Sequence, residues 1–344
     1  MHGLLIVCLL LGGLSTCGLY PDVLRGAEPS ASGQSSAADE APEVSEGVVN
    51  YVPPAKEEIV PSHLHLDPHT FPYREKPTKN YLSKMETSLV TFPSPVKTPH
   101  ENNNTVHCEY FRPAAEGKYP AVVVLHILGG DFELSRLFCK QMVLNDVAAL
   151  FVKLPYYGPR KQPGVDIEMV SGDPEQTVKG FTQGVLDIRR AAAWLGSREE
   201  VDEDQLGIMG ISLGGITGSL ALTAEPRFKK GFLMLAGGDV GRIGWESPLV
   251  SEMREKWVAA GRTREELVDL LKPVDPVTYG KNVHDRKIWM LNATHDEIIP
   301  RACTDSLWEA FGKPEITWVD AGHYSAMRFL VGALERSGKF FKTP

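Results

Sequence analysis

The sequence predicts an α/β protein: a mostly parallel central sheet with helices on both faces and a small helical cap insertion. Three observations carry this. From about residue 80 onward, short apolar runs alternate with helical patterns, and buried strands alternating with helices require a parallel sheet covered on both sides. In "GIMGISLGGITG" (Gly207 to Gly218) a glycine-framed serine, Ser212, sits where such a strand turns into a helix. Between Val240 and Tyr279 the rhythm breaks, and two short helical patterns stand where the next strand is due.

The chain opens "MHGLLIVCLLLGGLSTCGLY". Its apolar run from Leu4 to Leu14 is too short to span a bilayer as a mature helix and fits the core of a secretory signal, though no Lys or Arg precedes it. Residues 1–17 are therefore read as a signal peptide and the protein as exported, periplasmic or extracellular. "LSTC" resembles the bacterial lipobox, in which Cys17 would be lipidated and become the new N-terminus. That lipid is the one membrane attachment expected. Thr16 departs from the usual Gly, Ala or Ser, and ordinary signal-peptidase cleavage nearby is the alternative. Residues 18–50 read as a disordered tether, because "GAEPSASGQSSAADEAPEVSEG" has too little apolar surface to offset its ordering entropy. Residues 51–79 read as an N-terminal arm. They include "HLHLDPH", where His63, His65, Asp67 and His69 offer metal ligands on paper. Pro68 separates the last two and no strong β-forming run flanks them, so no metal site is expected.

Residues 80–344 read as the main domain, with 240–280 as the cap insertion. "SLVTFPSP" and "TVHCEYFRP" are early strands joined by the polar "HENNN" turn. "YPAVVVLH" and "VAALFVKLP" are buried strands with a helix near "LSRLFCKQMVLND" between them. A long helix starts at about Asp173, which suits the N-cap, with Pro174 at N1 and Gln176 at N3. Its apolar positions Val178, Phe181, Val185, Ile188, Ala192 and Leu195 step by three and four. Strands follow at "QLGIMGIS", "KKGFLMLAGG", "RKIWMLNATHD" and "EITWVDAG", and a helix closes the chain. Within the cap, Thr263 and Glu266 form a capping box.

Composition excludes some functions. The 344 residues carry a net charge of −8 and no Lys/Arg cluster, so nucleic acid is not an expected partner. Outside the leader there remain Cys108, Cys139 and Cys303, widely spaced. That pattern gives neither a disulfide framework nor a metal site.

The chemistry is read from Ser212. A G-x-S-x-G alone is a weak signal, but here a strand precedes it and a small-residue helix follows, the setting a nucleophile elbow requires. Gly210 and Gly214 leave room for the strained turn. A neutral serine needs a base, and the base an orienting acid. Asp296 follows a buried strand, 84 residues after Ser212, and His323 follows the next strand, 27 residues later. Both lie at carboxyl ends of strands, where open α/β sheets place their sites. Glu297 is the rival acid and His295 the rival base. An oxyanion hole would take one N–H from Leu213 and another from Ile127 or Leu128 in the loop "HILGGDFE", with His126 shaping that loop.

These residues resemble the α/β-hydrolase superfamily from about Asn80 to the C-terminus. More narrowly they resemble dienelactone-hydrolase-like proteins and bacterial acetylxylan esterases, on "FPSPVKTPHENNNTVHCEYFRP", "VVVLHILGG", "LPYYGPRK", "GISLGG", "DPVTYG", "THDEIIP" and "DAGHYS". "HILGGD" departs from the HGGG pattern of lipases. The resemblance implies hydrolysis of a carboxylic ester through an acyl-enzyme without metal or organic cofactor, on a small-molecule or polysaccharide ester. It implies too that Tyr156, Tyr157, Arg160 and Lys161 line the pocket with His126, a surface loop being the alternative for that stretch. Two other readings share the pattern: a prolyl-oligopeptidase-like peptidase, and a non-catalytic binding protein on the same scaffold.

Overall fold

The computed structural model describes residues 43–78, 84–130 and 132–343. The leader, Cys17 and most of the segment read as a tether lie outside the described residues. The strands are β1 (Ser45–Tyr51), β2 (His69–Pro77), β3 (Met85–Pro93), β4 (Thr105–Pro113), β5 (Tyr119–Leu125), β6 (Ala148–Val152), β7 (Val201–Ile211), β8 (Phe228–Met234), β9 (Lys287–Ala293) and β10 (Glu315–Val319). They form one sheet in the order β1-β2-β3-β4-β6-β5-β7-β8-β9-β10. From β6 to β10 the pairings are parallel, and β1 to β4 extend the sheet antiparallel.

The helices are α1 (Phe132–Val143), α2 (Pro174–Gly196), α3 (Leu213–Ala224), α4 (Val240–Glu246), α5 (Ser251–Ala259), α6 (Arg264–Leu271), α7 (Arg301–Ala310) and α8 (Leu330–Lys342). Strand pleating sends alternate residues of β5 to opposite faces. Ala121, Val123 and Leu125 join a core with α2, α3 and α7, while Val122 and Val124 join one with α1 and α8. The long helix starts as its sequence requires, the Asp173 carboxylate accepting the Glu175 N–H at 2.9 Å. Among the described residues no helix is long and apolar enough to cross a membrane.

The structure moves the start of the domain. Residues 45–50 of the span read as a tether and Tyr51 of the arm form β1, and residues 69–77 of the arm form β2. Both are hydrogen-bonded into the sheet. Tyr51 anchors them: it is fully buried, and its ring packs under the guanidinium groups of Arg189 and Arg227 at 6.0 and 5.1 Å. Arg189 also bonds the Leu64 carbonyl and the Glu57 carboxylate. The Tyr51 ring, the buried Arg189 and the half-buried Arg227 thus hold this segment together with its few buried apolar side chains, Val49, Val60, Leu64 and Phe71.

Candidate active site

Strand β7 ends at Ile211 and α3 begins at Leu213, so Ser212 alone makes the turn, with φ 54° and ψ −114°. A non-glycine residue there costs roughly 1–3 kcal/mol and persists only where packing over-determines it. The packing is tight. A Cβ at Gly210 would stand 2.1 Å from the Gly214 carbonyl oxygen, and one at Gly214 would stand 2.7 Å from that of His126. The Ser212 N–H donates to the Met234 carbonyl at 2.9 Å, tying the elbow to β8.

Asp296 follows β9 and His323 follows β10. His323 Nδ1 lies 2.8 Å from Asp296 Oδ2, and its Nε2 lies 3.0 Å from Ser212 Oγ. A carboxylate only accepts, so Nδ1 carries the proton and donates. The unprotonated Nε2 then accepts from the Ser212 hydroxyl. Asp296 Oδ1 is held by the N–H groups of Ile298 and Ile299 at 2.9 and 2.7 Å, which fixes the carboxylate in its turn. The rivals are engaged elsewhere. Glu297 accepts the His323 backbone N–H at 2.8 Å, and the exposed His295 faces Asp320.

The loop after β5 turns through Gly129 and Gly130, both at positive φ. Leu128 lines a cavity beside Ser212 and Leu213. Ile127 packs instead into the core of the opposite face, and its carbonyl takes the Gly130 N–H. Leu213 begins α3, so its N–H has no intrahelical acceptor. Of the two candidates in the loop, Leu128 is the one on the cavity side.

The cavity holds about 90 Å³. Its walls come from α2 (Thr177, Phe181), from Ile298 and Ile299 beside Asp296, and from the cap. Val240, Ile243 and Gly244 of α4, Met253 of α5 and Leu271 of α6 all reach it. The two stems of the cap share one clasp: Asp275 accepts the N–H groups of Asp239, Val240 and Val277 at 3.0, 3.1 and 3.0 Å. Thr263 and Glu266 form their capping box at the start of α6. The lining residues from α2 and the cap were not singled out from sequence, since a pocket wall and a core face carry the same apolar signature.

The structure does not place His126, Tyr156, Tyr157 or Arg160 on this cavity. His126 is fully buried. Its Nε2 accepts the Leu154 N–H at 3.1 Å, so Nδ1 donates to the Ile127 carbonyl at 2.8 Å. Burial pushes this imidazole down to about 4. Arg160 has no exposed surface and bonds Asp187 at 2.7 Å, the Asn103 carbonyl at 2.8 Å and the Lys153 carbonyl at 3.0 Å. Tyr156 packs on His100 and Tyr157 on His126, both nearly buried. Lys161 is exposed, and its carbonyl accepts from Asn102. These residues form the frame behind the site. In the N-terminal segment, His63, His65 and His69 bond the separate carbonyls of Pro273, Val60 and Asp67. Among the described residues no cluster of three or more His, Cys, Asp or Glu side chains is placed to hold a metal ion.

A serine elbow at a strand end, with an acid and a histidine on the next two strand ends, is the architecture of an α/β-hydrolase. Residues 80–236 match the family model "Alpha/beta hydrolase domain containing 18", and residues 181–315 match that of the prolyl oligopeptidase family. Together the two matches run from residue 80 to residue 315, and the chain has the α/β-hydrolase fold. Two uncharacterized proteins of Mycobacterium tuberculosis, from strains CDC 1551 and H37Rv, are 31% identical over 205 residues, 54% of this chain. The matched region is 45% of the length of those relatives. Acetyl xylan esterase 1 from Thermoanaerobacterium sp. JW/SL YS485 superposes with a TM-score of 0.58 at 20% identity, over 83% of this chain and 96% of that one. The acetyl xylan esterase from Paenibacillus sp. R4 gives 0.57 at 22% identity, over 76% and 88%. At such identities the likeness is one of fold.

Proposed function

We propose that this chain hydrolyses carboxylic esters of short acyl groups through an acyl-enzyme on Ser212. The observation that carries the reading is the hydrogen-bonded line from Ser212 Oγ through His323 to Asp296, at 3.0 and 2.8 Å. Ser212 Oγ attacks the ester carbonyl carbon while its proton passes to His323 Nε2. The N–H groups of Leu213 and Leu128 receive the developing oxyanion. Collapse expels the alcohol, which takes the proton from His323. Water then attacks the acyl carbon, gives its proton to His323, and releases the acid with Ser212 restored. Asp296 keeps the imidazole in the accepting tautomer and stabilises its charged form.

The cavity supports a short acyl group, since about 90 Å³ is smaller than the apolar cavity of about 150 Å³ that admits a benzene. An exported enzyme of this kind would act on acyl groups of polysaccharides. The prolyl oligopeptidase match over residues 181–315 favours a second reading, a peptidase. A fluorophosphonate probe tests the activated serine common to both: one adduct on Ser212 is expected, absent in Ser212→Ala. Turnover of p-nitrophenyl esters but not of peptide p-nitroanilides then decides for the esterase.

A further inference from the structure

Ser247 stands between α4 and the short turn at Pro248–Val250. It is 2% exposed and belongs to the wall of the cavity beside Ser212. Serine at this N-cap position ordinarily bonds a backbone N–H of the following turn. Here its side chain makes no such bond, and it has no other hydrogen-bond partner among the described residues.

The remaining wall explains why this matters. Three lining side chains carry hydroxyls. Ser212 is bonded to His323, and Thr177 takes the Ser171 N–H at 3.0 Å. The others are apolar, apart from Gly244. Ser247 therefore carries the one unengaged hydroxyl among the residues that line this mostly apolar pocket. Leaving a buried hydroxyl unpaired is unfavourable, so a partner in the cavity would be favoured. A purely hydrocarbon acyl chain supplies none.

We propose that Ser247 is a specificity-determining residue, and that the preferred acyl group is a short chain bearing a hydroxyl or carbonyl oxygen beyond the ester carbonyl. This rests on the ester-hydrolase reading given above. A site that hydrogen-bonds a substrate oxygen rejects the analogue lacking it far more strongly than a hydrophobic pocket rejects a missing methylene. Water could also pair with the hydroxyl, but it would give no preference between acyl chains.

The test compares p-nitrophenyl 3-hydroxybutyrate with p-nitrophenyl butyrate, each kcat/KM divided by the ester's hydroxide-catalysed rate. The full chain is used, with Ser247→Ala and Ser247→Thr. The native protein is expected to prefer the hydroxy ester by at least about tenfold. Ser247→Ala should lose that preference, and Ser247→Thr should keep part of it. A native ratio near one overturns the proposal, whether or not the variants fold. So does a preference that Ser247→Ala leaves intact. No turnover of either ester or of p-nitrophenyl acetate would remove the ester-hydrolase reading itself, and the Ser247 assignment with it.

Discussion

Asp296 faces His323 Nδ1 with both carboxylate oxygens, Oδ2 at 2.8 Å and Oδ1 at 3.0 Å, while two backbone N–H groups of its own turn also hold Oδ1. The imidazole is thereby fixed with its accepting nitrogen toward Ser212. Asp296→Asn keeps the shape but loses the negative charge and the enforced tautomer. Its kcat on p-nitrophenyl acetate is expected to fall by about 10³–10⁴-fold, with the melting temperature little changed. A loss under tenfold would mean that this carboxylate does not orient the base.

Arg160 behaves differently if it belongs to the frame. Its buried bond to Asp187 joins the loop after β6 to α2. Removing one partner of such a pair leaves the other charge buried and uncompensated. Arg160→Ala should cost about 3–5 kcal/mol in urea unfolding. KM of the folded fraction should be unchanged. A raised KM at native stability would return Arg160 to the substrate.

His126 gives the stability a pH dependence. Burial holds it at about 4 in the folded chain, against about 6.5 unfolded. Half-buried His107 is likewise pushed down to about 4, by burial and then by Lys153. Between these values the unfolded state binds protons that the folded state does not. Stability from these groups is therefore full above pH 6.5 and is lost as pH falls toward 4, by about 3 kcal/mol for each group at most. Unfolding measured from pH 7 to 4.5 should show this slope, and His126→Gln should flatten it while lowering stability overall. An unchanged slope in that variant would contradict the neutral assignment.

The cap predicts a change in chain length. Met253 and Ile243 wall the cavity, so Met253→Ala with Ile243→Ala should enlarge it. The ratio of octanoate to acetate ester turnover should rise by roughly tenfold, from a few methylenes newly accommodated. The same ratio in a folded double variant would show that the cap does not bound the acyl chain.

The positions of Ser212, Asp296 and His323 were legible because each follows an apolar run long enough to identify a strand end. The Gly210 and Gly214 spacing added the turn. The N-terminal strands were hidden: β1 has few apolar residues, and one of them, Val48, points to solvent at 66% exposure. Its stability comes from edge pairing and the Tyr51–arginine packing, which no local periodicity encodes. Arg160 and the two tyrosines were misplaced for a related reason. Their pocket role came from the resemblance of "LPYYGPRK" alone, with a surface loop as the alternative, and only the three-dimensional closure onto Asp187 and Asn103 reveals a buried network. Ser247 carried no signal in "WESPLV", since an unused cap hydroxyl is visible only once its surroundings are known.

Ser212 is proposed above as an activated nucleophile acting on esters. Its most direct test is turnover of p-nitrophenyl acetate and butyrate by the purified chain from Glu43 onward, beside Ser212→Ala. Measurable turnover in the native protein is expected, with a loss of at least about 10³-fold in the variant. Equal turnover in both proteins would contradict the account.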